Sequence, residues 1–188
     1  MRCVNGESGV GWFRTHKETG MYELPPITEL RRDELIQPNA RLKYLHLYEG
    51  RYWRLYLNEN QHLLGRAYLW LTSRHVDFHP FDDLNEEELR ELCLLTGLYR
   101  GATQRLWGAA LLNVQWWGNE AFGQYGHRGH GHLHLVPRYT DVVEFDGARY
   151  PDVRFGKNYH PYEPNKLPPY RLAPIAQALK DELIVEIP

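Results

Sequence analysis

The sequence predicts an α+β domain: a mainly antiparallel sheet of about five strands, one long helix packed on it, and an irregular C-terminal arm that ends in a helix. Two observations carry this. Leu89, Leu92, Leu95, Tyr99, Ala102 and Leu106 recur at spacings of three and four, the period of a helix with one buried stripe. Around that stretch, short alternating or apolar segments lie between turn residues, in the order β–β–β–α–β–loop–β, which suits a mixed α+β layer.

Residues 1–26 read as loop, with Gly6, Gly9, Gly11 and Gly20 and the closing Pro25-Pro26. A short helix is expected over Ile27–Gln37. Leu42–Tyr48 and Tyr52–Leu57 form a hairpin joined at Glu49-Gly50, and Leu64–Thr72 is a third strand, with Ala67, Leu69 and Leu71 on one face and Tyr68 and Trp70 on the other. Asn85 followed by Glu86, Glu87 and Glu88 gives the long helix an N-cap and acidic first turn, and Gly108 is its stop. Ala109–Trp117 is the next strand, and the glycine-rich loop Gly118–Gly129 leads into a last one. Tyr139–Tyr170, with Pro151, Pro161, Pro164, Pro168 and Pro169, is expected to wrap the domain without regular structure. A final helix is expected from about Ala173 to Leu183, with Pro174 in its first turn. The division expected is an N-terminal extension over 1–40, a catalytic domain over 41–140, and an arm and helix over 141–188 packed on it.

Composition removes several classes of function. The 188 residues are 43% hydrophobic and 24% charged, enough for a real core and unlike a disordered chain. A net charge of -2 leaves no electrostatic footprint for nucleic-acid polymers. Cys3 and Cys93 stand far apart, with no disulfide framework, as in a reducing compartment. Neither a signal-peptide core nor a membrane-length apolar run is present, so a cytoplasmic protein without membrane partners is expected.

The chemistry concentrates in Gly129-His130-Gly131-His132-Leu133-His134-Leu135-Val136-Pro137-Arg138. Three imidazoles at i, i+2 and i+4 share one face of a strand, with leucines on the other. Solitary histidines are usually hydrogen-bonded surface or core residues, a reading that weakens when three alternate. A metal tripod fits poorly. Along an extended strand His130 and His134 are roughly 13 Å apart, whereas zinc holds nitrogens at about 2.0–2.1 Å. Two neighbours such as His130 and His132 could share an ion with a distant ligand such as His75. Nucleophilic catalysis fits better, because a neutral imidazole attacks phosphorus at pH 7 without a separate base. A protonated neighbour on the same face can neutralise phosphate charge or protonate a leaving group.

These residues resemble the signature of the histidine triad superfamily of nucleotide hydrolases and transferases, which alternates histidines with apolar residues and often continues into Pro-Arg. The segment departs from it at Gly131, where that family carries a bulky apolar residue. The resemblance covers about residues 45–140 and points to the diadenosine polyphosphate hydrolase-like branch. It implies that His132 attacks the α-phosphorus of a nucleoside polyphosphate or phosphoramidate to form a nucleotidyl-histidine, which water or another acceptor discharges. His134 would contact phosphate and leaving group, His130 would hold the array, and His75, after Arg74, would stand behind the nucleophile. Asn58, in Asn58-Glu59-Asn60-Gln61 before Gly65-Arg66, would lie near the ribose. Asn113 and Asn119, in an Asn…Gly-Asn pattern, would bind phosphate oxygens, and Gln124 in the glycine loop could reach phosphate too. No cofactor is required, no structural metal is expected, and magnesium would enter only with the nucleotide. Homodimers are frequent in that family, so a homodimer is a further expectation. Two alternatives stay open: a metal-dependent histidine-site enzyme, and a nucleotide-binding protein without turnover.

Overall fold

The computed structural model describes residues 45–72, 83–116, 132–158 and 165–184. Within them five strands, β1 (His46–Glu49), β2 (Trp53–Leu57), β3 (Ala67–Leu71), β4 (Leu111–Trp116) and β5 (His132–Arg138), form one sheet in the order β1-β2-β3-β5-β4, with every pair antiparallel. The histidine strand therefore lies inside the sheet, between β3 and the edge strand β4. The expected α+β fold, with its sheet, long helix and terminal helix, is the one observed.

Alternation decides which face is core. Leu55, Leu57, Leu69, Leu71, Leu133 and Leu135 point one way and are buried in a single apolar cluster. They meet Leu92, Leu95, Tyr99 and Ala102 of α1 (Glu86–Trp107) in that cluster. Each such side chain contributes about 1.5–3 kcal/mol on burial. The helix start is a complete capping box: Asn85 Oδ1 accepts from Glu88 N at 2.9 Å, and Glu88 Oε2 accepts from Asn85 N at 3.0 Å. Gly108 ends it at φ 71°.

Two tethers fix the helix to the sheet. Trp53 Nε1 donates to the Glu88 carbonyl at 2.9 Å. The buried Glu91 carboxylate accepts from Tyr52 N at 2.7 Å in the β1–β2 turn. Gly50 makes room for that carboxylate, since a Cβ there would stand 1.7 Å from Glu91 Oε1.

The sequence-based expectation needs correction beyond residue 139. Val143–Phe145 (β6) and Ala148–Tyr150 (β7) form a hairpin inside the stretch expected to be irregular, turned by Asp146 and Gly147 at φ 47° and 68°. Asp-Gly between alternating residues is the signal for this turn. The last helix, α2 (Pro169–Ile184), begins before Ala173, so Pro174 lies in its interior rather than its first turn. One lost backbone bond and a ring clash cost about 3 kcal/mol. Leu172, Ile175, Leu179 and Leu183, all buried on one stripe, outweigh that. These residues join the same core, with α2 packed on α1 and β1.

Arg138, at the end of β5, anchors the chain that follows. Its guanidinium grips Asp152 through Nε–Oδ2 at 2.6 Å and Nη2–Oδ1 at 3.1 Å, and also donates to the Arg154 carbonyl at 2.6 Å. Both side chains of the pair are almost wholly buried. No described helix is long and apolar enough to cross a membrane. The helix expected over Ile27–Gln37 lies outside the described residues, as do His75, Asn119, Gln124 and His130.

Candidate active site

The face of the sheet opposite α1 is built in cross-strand rows. On it Trp70 pairs with His132, and Tyr68 with His134. The ladders extend these rows on either side. Arg54 lies across from Trp70, Tyr56 across from Tyr68, and Gln115 across from His134. One step further along, Asn113 is level with Val136. The strand period that places Leu133 and Leu135 in the core thus delivers both described histidines to one surface.

The two imidazoles are neighbours, with ring centroids 5.0 Å apart. His132 is partly exposed and His134 only 7% exposed. Tyr68 wedges against both, 5.6 Å from His132 and 4.9 Å from His134. Trp70 stands 5.8 Å from His132, its plane tilted by 36°. Tyr56 and then His46 continue the aromatic row toward β1, at ring separations of 5.9 and 5.2 Å.

Electrostatics separate the pair. Burial first, then the neighbouring His132 and the Arg66 guanidinium, lower the pKa of His134 to about 3. A pKa this low leaves His134 neutral at pH 7, so it can donate an N–H or accept but brings no positive charge. The fixed cation beside it is Arg66, itself buried. His46 is also shifted down, chiefly by burial.

Asn58 occupies the loop between β2 and β3, buried, its Oδ1 accepting from Asn60 N at 2.8 Å. Its buried Nδ2 has no hydrogen-bond partner among the described residues. Gln61 holds this loop together. Its Nε2 donates to the carbonyls of Asn58 at 2.6 Å and Arg66 at 2.9 Å, while its Oε1 accepts from Gly65 N at 2.8 Å. The buried phenols of Tyr99 and Tyr139 donate to the carbonyls of Gly65 and Leu64. The Asn-x-Asn-Gln segment is thus at least partly scaffold.

Of the residues expected at the site, the structure brings together His132 and His134, with Asn113 two positions along β4 from the Gln115 row. Sequence reasoning missed Tyr68, Trp70, Arg66 and Gln115. The alternation of β3 already put Tyr68 and Trp70 on one face, but only the β3–β5 register puts that face beside the histidines. Among the described residues no group of three His, Cys, Asp or Glu could hold a metal. A cavity of about 340 Å³ lies elsewhere, between the C-terminal end of α1 and residues 139–144.

No family model and no curated protein matches the sequence. Solved structures do match the fold. A histidine triad protein of Bradyrhizobium japonicum is 15% identical over 79% of this chain and 98% of its own, with a TM-score of 0.55. The Plasmodium falciparum diadenosine triphosphate hydrolase, solved with cyclomarin A, is 18% identical over 92% of this chain and 90% of its own, at 0.53. This chain has the histidine triad fold. A hypothetical histidine triad nucleotide-binding protein of Sulfolobus tokodaii is similar too, at 20% identity over 75% and 84% of the two chains and a TM-score of 0.50. In this histidine triad fold, the strand carrying His132 and His134 is β5, the inner strand beside the edge.

Proposed function

We propose that this protein is a nucleotide hydrolase or nucleotidyl transferase in which His132 is the nucleophile. One observation carries the reading: on the inner strand β5, a partly exposed imidazole stands 5.0 Å from a second, deeply buried one. The exposed ring can reach phosphorus, and its neighbour, neutral at pH 7, is suited to donate a hydrogen bond to a phosphoryl oxygen rather than a full proton. The solved diadenosine triphosphate hydrolase of the same fold supports a nucleoside polyphosphate as the substrate class, and a phosphoramidate is the alternative that the sequence resemblance implies.

In this reading Asn58 offers its unused Nδ2 donor to the sugar, and Asn113 stands toward the phosphates from β4. His130, His75 and Asn119 complete the array as the sequence resemblance implies, with Gln124 of the glycine loop as a further phosphate contact. No resident cofactor is needed, and a homodimer is the assembly to look for. The test is hydrolysis of diadenosine triphosphate and of adenosine 5′-phosphoramidate by the wild type and by His132→Ala. Turnover lost in a folded variant supports the proposal. Unchanged turnover refutes it, and AMP binding without any hydrolysis by the wild type would make the protein a binder.

A further inference from the structure

Attack by a neutral imidazole has a consequence for charge. The His132 nitrogen uses its lone pair to form the N–P bond, and the P–O bond to the leaving group (P–N in a phosphoramidate) breaks, its electron pair departing with that group, which takes any proton it needs from solvent. The second ring nitrogen keeps its proton, so the phosphorylated ring is a cation. Water then forms a new P–O bond, the N–P pair returns to the ring, and the water proton passes to solvent.

Among the described residues, a fixed positive charge acts on the adjoining ring: Arg66 is buried and permanently charged, and His134 is held neutral chiefly by burial, then by any charge on His132 and by Arg66. The ladder neighbours of His132 on its face, among the described residues, are Trp70 directly across, Arg54 beyond it, and Tyr68, His134 and Gln115 in the next row, none of them acidic. Among these, three rings stand around His132: His134 at 5.0 Å and 59°, Tyr68 at 5.6 Å and 81°, and Trp70 at 5.8 Å and 36°, so Trp70 is the one whose plane comes nearest to stacking on it. A cation within about 6 Å of a ring face is attracted by its quadrupole, most strongly over tryptophan.

We infer that Trp70 supports the phosphorylated, cationic form of His132 and so acts as a positioning residue for the covalent step. The inference rests on the nucleotidyl-histidine reading above. It is tested by rapid-quench kinetics with diadenosine triphosphate, following the His132 adduct in the wild type, Trp70→Leu and Trp70→Phe. Trp70→Leu should slow adduct formation about 10-fold while KM stays within about twofold, and Trp70→Phe should recover part of the rate. Fluorinated tryptophans placed at position 70, which keep the shape and drain the π cloud, should slow it stepwise with each added fluorine, and they decide the matter if Trp70→Leu does not fold. An unchanged rate, a loss carried by KM, or no trend with fluorine number overturns this inference alone. A wild type that forms no adduct overturns the reading of His132 as nucleophile, and this inference with it.

Discussion

Tyr68 lies directly across the β3–β5 ladder from His134, their ring centroids 4.9 Å apart and their planes at 64°. That contact helps bury an imidazole that most proteins leave to titrate near neutrality. With its pKa lowered to about 3, His134 should show no change of protonation by NMR between pH 8 and 5. A midpoint near 6.5 contradicts the assignment.

Linkage extends the prediction to stability. The unfolded chain takes up the proton near pH 6.5 and the folded chain only near 3, so protonation favours unfolding. Stability is complete above about pH 6.5 and falls as the pH drops toward 3, by at most about 1.4 kcal/mol per pH unit from this group. Denaturant titrations of the wild type and His134→Asn should differ in slope between pH 6.5 and 4, the variant being flatter. Equal slopes argue against the burial described.

The Arg138–Asp152 pair makes a second prediction. Removing one partner leaves the other charge buried and uncompensated, at a cost of about 3–5 kcal/mol. Asp152→Ala should therefore lower the denaturation midpoint sharply, and the double variant Arg138→Met/Asp152→Leu should recover much of the loss. A single variant within about 1 kcal/mol of wild type would show the clamp to be dispensable.

Gly65→Ala tests the loop behind the site. Gly65 has φ 75°, and a Cβ there would stand 2.6 Å from Cζ3 of Trp107. Left-handed backbone alone costs an alanine about 1–2 kcal/mol, and the clash adds to it. The expected result is a loss of about 2 kcal/mol or more by thermal or chemical unfolding, with weaker substrate binding as Asn58 shifts. A variant as stable as wild type contradicts this geometry.

The long helix was legible because its signals are local: Asn85 with Glu88, the three-four stripe, and Gly108 all act within one turn or along one face. The histidine strand was legible for the same reason, since alternation alone sets its face. Register between strands distant in sequence is not local. Residues 70 and 132 meet only through the sheet, so Trp70 and Tyr68 could not be assigned to the site from the residues themselves. The neutrality of His134 was hidden likewise, because it depends on burial, on His132 and on Arg66 from the β2–β3 loop. The β6–β7 hairpin was different. Asp146-Gly147 announced it, and the surrounding prolines masked the signal. In α2, Pro174 suggested a later start, but the stripe from Leu172 to Leu183 decides the helix.

The central claim is that His132 bonds covalently to phosphorus. Wild-type protein mixed with diadenosine triphosphate or adenosine 5′-phosphoramidate, quenched in base and analysed by intact and peptide mass spectrometry, should carry one nucleotidyl group on His132. His132→Ala should carry none and turn over at least about 10³-fold more slowly. Labelling or turnover that survives in His132→Ala would contradict the account.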